Sequence, residues 1–167
     1  MIRSFVFAID PGPEQSSYVM AAPDLNIVAA RSVENNELIS AAFNSLSLKS
    51  FAGIPISIAC ESIESFGMPV GKEVFRTVHW CGRFHQRAEQ LGIPFELVPR
   101  RVVKLYWCQT VRATDANIWQ AMVDLWGSPG TKKAPGKLYG IHSHQRSALA
   151  IAGWKLDALV SQPTLVS

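Results

Sequence analysis

An apolar run that ends on an acid constrains this chain more than any other feature. Phe5-Val6-Phe7-Ala8-Ile9 reads as a buried strand, and Asp10-Pro11-Gly12 closes it with a turn. A second apolar run, Ile54-Pro55-Ile56-Ser57-Ile58-Ala59-Cys60, ends in Glu61. Asp10 alone has a bland explanation, the solvated Asp-Pro-Gly turn. Glu61 has the stronger individual claim to a task, because so apolar a strand rarely ends in an acid without a partner.

Around these two strands the pattern alternates. Three β-like runs come first, at 4–10, 16–23 and 25–33, with Pro23-Asp24 as a turn. A helical period covers about 36–48, where Leu38, Ile39, Ala42, Phe43 and Leu46 recur at spacings of three and four. After the strand at 54–61, a long helix spans about 69–91, with Val70, Val74, Phe75, Val78, Phe84 and Leu91 on its expected buried side. Gly92-Ile93-Pro94 stops it before a short strand at 95–98. Two shorter helices, about 101–107 and 115–126, flank an elbow at Gln109-Thr110, and a last helix runs from about 143 to 160. The stretch 127–140 is a loop rich in glycine, proline and lysine, read as mobile. Three leading strands followed by β and α in alternation indicate a layered α/β domain with a mixed sheet.

Composition sets limits on the rest. At 167 residues the chain is expected to form one domain, 1–167, with a core that needs no disulfide or metal. Its 48% hydrophobic and 17% charged residues are those of a globular protein. No stretch reaches the roughly 18 apolar residues of a membrane span. Three cysteines without a CxxC pair fit a reduced, cytoplasmic setting. A formal charge of +3 permits a nucleic-acid partner without arguing for one.

The candidate chemistry lies in three segments. Asp10 and Glu61 stand at strand ends, and the last helix opens with Ile141-His142-Ser143-His144-Gln145-Arg146-Ser147. Carboxylates at adjacent strand ends bind hard cations such as Mg²⁺, with Mn²⁺ able to substitute. His144 completes the set either as a ligand or as the base that takes a proton from water. A histidine near a helix start is also a common surface or capping residue, and His142 is a rival for the same role. Phe66, just past Glu61, is either core or a ring that stacks on an exposed base; Glu64 is a substitute ligand. Lys104 and Arg112 flank the elbow, and Lys132 and Lys133 sit in the loop before the last helix, where phosphate contact competes with simple solvation. Cys81, His85 and His79 read as core and surface residues of their helix. Neither a P-loop nor a GxSxG elbow is present, which leaves ATPase and esterase readings without support.

Four segments, in order, resemble the RuvC-type Holliday junction resolvases, of a divergent, phage-like kind. They are Ala8-Ile9-Asp10-Pro11-Gly12; Ile58-Ala59-Cys60-Glu61 with Phe66; Val98 to Lys104 followed by Arg112 to Ile118; and His144-Gln145-Arg146-Ser147-Ala148-Leu149-Ala150-Ile151-Ala152. The resemblance implies a ribonuclease H-like fold, a three-strand meander extended by parallel strands. It implies a metal-dependent endonuclease for four-way or other branched DNA, with Asp10, Glu61 and His144 as catalytic and metal-binding residues. Phe66, Lys104, Arg112, Lys132 and Lys133 would be its DNA contacts, and a homodimer its working form. Ser147 stands where the family usually has its last aspartate, and Gln109 and Thr114 where a glycine and a lysine are common. Two other expectations follow: a junction-binding protein that cuts weakly or not at all, and a ribonuclease H-like enzyme acting on RNA–DNA hybrid.

Overall fold

The computed structural model describes residues 4–65, 67 and 69–161, with Val160 and Ser161 described by backbone only. A five-stranded mixed sheet forms the centre. Strands β1 (Phe5–Asp10), β2 (Gln15–Ala21) and β3 (Ile27–Glu34) make an antiparallel meander. Strands β4 (Ile56–Ser62) and β5 (Phe95–Pro99) extend it in parallel, giving the order β3-β2-β1-β4-β5. This is the mixed α/β sheet the sequence led us to expect.

Helices cover both faces. A first helix starts at Asn35–Glu37 (α1), passes through a π turn at Leu38–Ala42 and continues as Phe43–Phe51 (α2). With α3 (Lys72–Gln90) it covers one face, where Phe7, Ile9, Ile58 and Cys60 meet Leu38, Phe43, Leu46, Cys81 and Phe84. The other face carries α4 (Arg100–Cys108), α5 (Asp115–Trp126) and α6 (Ser143–Ser161). There Val6, Ala8 and Ala59 meet Val103, Ile118, Met122, Leu149 and Ile151. Side chains alternate along a strand, so neighbours in sequence serve opposite layers. Asp10 follows Val6 and Ala8 onto the α6 face, and Glu61 follows Ala59 there.

Two sequence expectations need correction. The buried stripe of α3 is Thr77, Cys81, Phe84 and Ala88, whereas Phe75 and Val78 are 65% and 48% exposed. Apolar residues occur on two sides of this helix, and only one side docks on the sheet. The stretch 127–140 is also more ordered than its composition implied. Gly130 bridges Pro135, and Thr131 and Ala134 exchange backbone hydrogen bonds of 3.0 and 3.1 Å. Leu138 anchors the segment in the core. A Cβ on Gly136 would sit 2.1 Å from the Ser128 carbonyl oxygen, so the crossing of the two loop arms requires glycine.

The elbow at Gln109 has a left-handed backbone, φ 56°, where α4 ends. Glycine takes that conformation most easily, so Gln109 occupies a backbone that a side chain disfavours.

Candidate active site at the strand edge

Ile9 lies opposite Cys60 in the parallel pairing of β1 and β4. Asp10 and Glu61 are therefore the next residues outward on neighbouring strands, which run about 4.8 Å apart. The turn after Asp10 is fixed from behind. Asn35 donates from Nδ2 to the Gly12 carbonyl (2.9 Å), Ser16 Oγ donates to Asn35 Oδ1 (2.6 Å), and the Gly12 N–H donates to Ser16 Oγ (3.2 Å). A Cβ on Gly12 would stand 2.3 Å from the Gln15 carbonyl oxygen, so nothing larger fits. Asp10 is not the solvated turn residue of the bland reading; its side chain is only 11% exposed.

The carboxylate of Asp10 meets His144, whose Nδ1 lies 2.8 Å from Asp10 Oδ2. The imidazole is itself 75% exposed, so its other nitrogen faces solvent. Ser143, just before it, has φ 40°, unusual for a residue with a side chain. That turn brings the first residues of α6 over the strand edge. His142 is exposed and its backbone N–H donates to Gln145 Oε1 (3.2 Å). Between the two histidines, the structure places His144 at the carboxylate.

Glu61 is engaged differently. Arg100, the first residue of α4, donates from one guanidinium nitrogen to Glu61 Oε2 at 2.7 Å. Its other terminal nitrogen donates to Asp115 Oδ1, at the start of α5. Register explains the reach: Glu61 pairs with Val98 on β5, and Arg100 follows two residues later. Thr114 caps α5 through a reciprocal bond with Asn117 and so fixes Asp115 at the helix start. Arg100 and Asp115 stood in segments the sequence had singled out, yet their bridge to Glu61 has no local signature.

The electrostatics follow from burial. Desolvation holds the Asp10 carboxyl above its usual range, with His144 and Arg100 pulling it back. Desolvation likewise raises Glu61, opposed first by Arg100, while the negative charge of Asp10 adds to the rise. Burial works against the charge of Arg100, but the Glu61 and Asp115 carboxylates outweigh it and raise its pKa.

Arg100, Asp115, Ser143, His144, Arg146 and Ser147 share the lining of a cavity of about 220 Å³. Arg146 is held aside over the Trp119 ring, 4.1 Å from its centre. Lys104, Arg112, Lys132 and Lys133 are not among the cavity's described lining residues. Arg112 lies exposed beyond the elbow, and Lys132 and Lys133 occupy the outer turn of the 127–140 loop. Phe66 lies outside the described residues.

A divalent ion does not fit the side chains as they stand. Among the described residues, no group of three or more His, Cys, Asp or Glu side chains converges to hold one. Asp10 and His144 make a pair, but the third donor, Glu61, is turned to a guanidinium.

No protein-family model and no curated protein matches the sequence. Solved structures do match. Thermus thermophilus RuvC in complex with a Holliday junction substrate superposes with a TM-score of 0.66 at 20% identity, over 94% of this chain and 96% of that one. A second structure of Thermus thermophilus RuvC gives 0.64 at 17% identity, over 93% and 96%. The yeast mitochondrial Holliday junction resolvase Ydc2 gives 0.52 at 15% identity, over 92% of this chain and 78% of that one. The chain therefore has the ribonuclease H-like fold of the RuvC-type Holliday junction resolvases.

Proposed function

We propose that the protein is a structure-selective endonuclease that hydrolyses phosphodiesters in branched DNA, with four-way junctions as its main substrate. The observation that carries the reading is the Asp10–His144 contact beside Glu61, at the strand edge of a resolvase fold. When Asp10 is ionised and the imidazole neutral, the Nδ1–H of His144 donates to the carboxylate and Nε2 is the free acceptor. An imidazole so oriented takes a proton from water as the water attacks phosphorus. Arg100 supplies fixed positive charge in the same cavity, and α4, α5 and α6 begin at its rim, an arrangement that favours a phosphate. Mg²⁺, replaceable by Mn²⁺, is the cofactor of this proposal; Asp10 and Glu61 are the carboxylates the chain has for it, and His144 is the third donor only where it does not serve as the base. Glu61 joins Asp10 only when Arg100 releases it.

Lys104, Arg112, Lys132 and Lys133 are the proposed phosphate contacts, with Phe66 at the branch point. A homodimer would present two such sites to a two-fold junction. The apolar residues that α3 leaves exposed, Phe75 and Val78, favour a partner on that helix. Ser147, which brings no carboxylate to the cavity, favours a second reading: a junction-binding protein that does not cut.

Cleavage of a synthetic four-way junction, beside linear duplex and RNA–DNA hybrid, in Mg²⁺ and then Mn²⁺, separates these readings. Paired symmetric nicks in the junction alone, lost by at least about 10²-fold in Asp10→Asn, are expected. A single unpaired nick removes the dimer, and preferential cutting of hybrid removes the junction. Tight junction binding without cleavage in either metal makes the protein a binder.

A further inference from the structure

Three carboxylates gather at the strand edge: Asp10 and Glu61 end neighbouring strands, and Asp115 joins Glu61 through a shared guanidinium, its negative charge adding to the cost of ionising both buried acids. In a polar cleft such a group calls for a cation at its centre. The cation present is Arg100. Its guanidinium bridges Glu61 and Asp115, and its positive charge is also felt at Asp10. Arg100 is partly withdrawn from water, its side chain 30% exposed, and Glu61 is 12% exposed. Charge-assisted pairs of this kind are short and strong. Asp115, in contrast, is 74% exposed, so it anchors the arginine from the solvent side.

The same guanidinium explains why no three-ligand group forms among the described residues. Glu61 has committed one oxygen to Arg100, and Ser147, on the same cavity wall, offers no second acid in exchange. A divalent ion approaching Asp10 and His144 meets a fixed positive charge where its third ligand should be.

We infer that Arg100 is the resident cation of this site and competes with a divalent metal ion for Glu61. The inference deepens the nuclease reading, on which its functional meaning rests. Arg100 sets how tightly the site takes metal, and DNA phosphate is the natural anion to draw the guanidinium away. A phosphate backbone carries a full negative charge per residue and accepts the same paired N–H groups that Glu61 accepts. Metal would then load where substrate is already seated. By linkage, metal and DNA would each strengthen the binding of the other.

The test is Mn²⁺ binding to the DNA-free protein, read by electron paramagnetic resonance, in wild type, Arg100→Ala and Arg100→Gln. Loss of one charge-assisted competitor predicts Mn²⁺ binding about ten- to a hundredfold tighter in the variants. Arg100→Gln keeps an amide donor for the carboxylates, so it answers even where Arg100→Ala fails to fold. Mn²⁺ affinity no greater than wild type in every folded variant overturns the inference. The measurement uses no DNA, which separates the two readings. A chain that neither binds nor cuts junctions refutes the nuclease, while a cutting wild type with unchanged Mn²⁺ affinity in the variants refutes only the role of Arg100.

Discussion

On one side of the sheet, Phe7 stacks on Tyr18 at 4.7 Å and meets Phe43 edge-on at 6.1 Å, and Phe84 packs on both Phe43 and Trp80. On the other, the residues where α6 crosses the strands are small, Ala8 and Ala59 against Ala148, Ala150 and Ala152. The rings there lie further out, with Trp107 edge-on to Trp126 at 5.2 Å. Large rings separate layers and bury much area. Alanines let a helix lie close enough for its first residues to reach the ends of the strands. Gly153 does the same toward the neighbouring helices, since a Cβ there would sit 2.7 Å from the Trp107 ring of α4. The aromatic side supplies cohesion, and the alanine side holds buried charge that works against it.

Breaking the aromatic side should have the largest effect. Phe84→Ala opens a cavity at the centre of the stack and is expected to cost about 3–5 kcal/mol in chemical denaturation. A loss below about 1 kcal/mol would mean that the two sides share the stability evenly.

Asp10→Asn tests the opposite side and carries the opposite sign. Burial holds the folded-state pKa of Asp10 above its unfolded value. The folded chain therefore binds more protons than the unfolded one between those two values, and stability from this group falls as pH rises through them. At any pH above both values the ionised, buried Asp10 is fully unfavourable. Melting curves across pH should show Asp10→Asn a few degrees more stable than wild type near neutrality, with the gap closing as pH falls toward the ordinary carboxylate range. A variant less stable at neutral pH would show that the His144 contact outweighs burial.

The smallest effect is expected at Ser57, whose buried hydroxyl has no hydrogen-bond partner among the described residues. Ser57→Ala should be neutral or stabilising by up to about 1 kcal/mol; a clear loss would point to a partner such as an ordered water.

Much of this arrangement was legible from the residues in order. The strands, the long helices and the elbow fall within a few residues of their expected places, because period and punctuation are local signals. Asp10 and Glu61 at neighbouring strand ends were legible in the two apolar runs, whereas the Asp10–His144 contact depended on where α6 begins, which its own residues do not state. The docked side of α3 did not follow. Phe75 and Val78 are as apolar as Phe84, and only the tertiary arrangement decides which side meets the sheet. Nor did the bridge from Arg100 to Glu61 and Asp115. It spans 39 residues in one direction and 15 in the other. Its existence depends on how α4 seats at the end of β5, which no short pattern encodes.

Asp10 and His144, in contact through a single hydrogen bond, lie 134 residues apart along the chain. A ribosome making this protein releases both strand-end acids long before the histidine is translated, and a chain cut short before the last helix never acquires it. For a protein proposed to break DNA, such a layout is a safeguard. Copies that stop before α6, however well their sheet forms, have no hydrogen-bonded imidazole to act with, and the hazard arrives only with that helix.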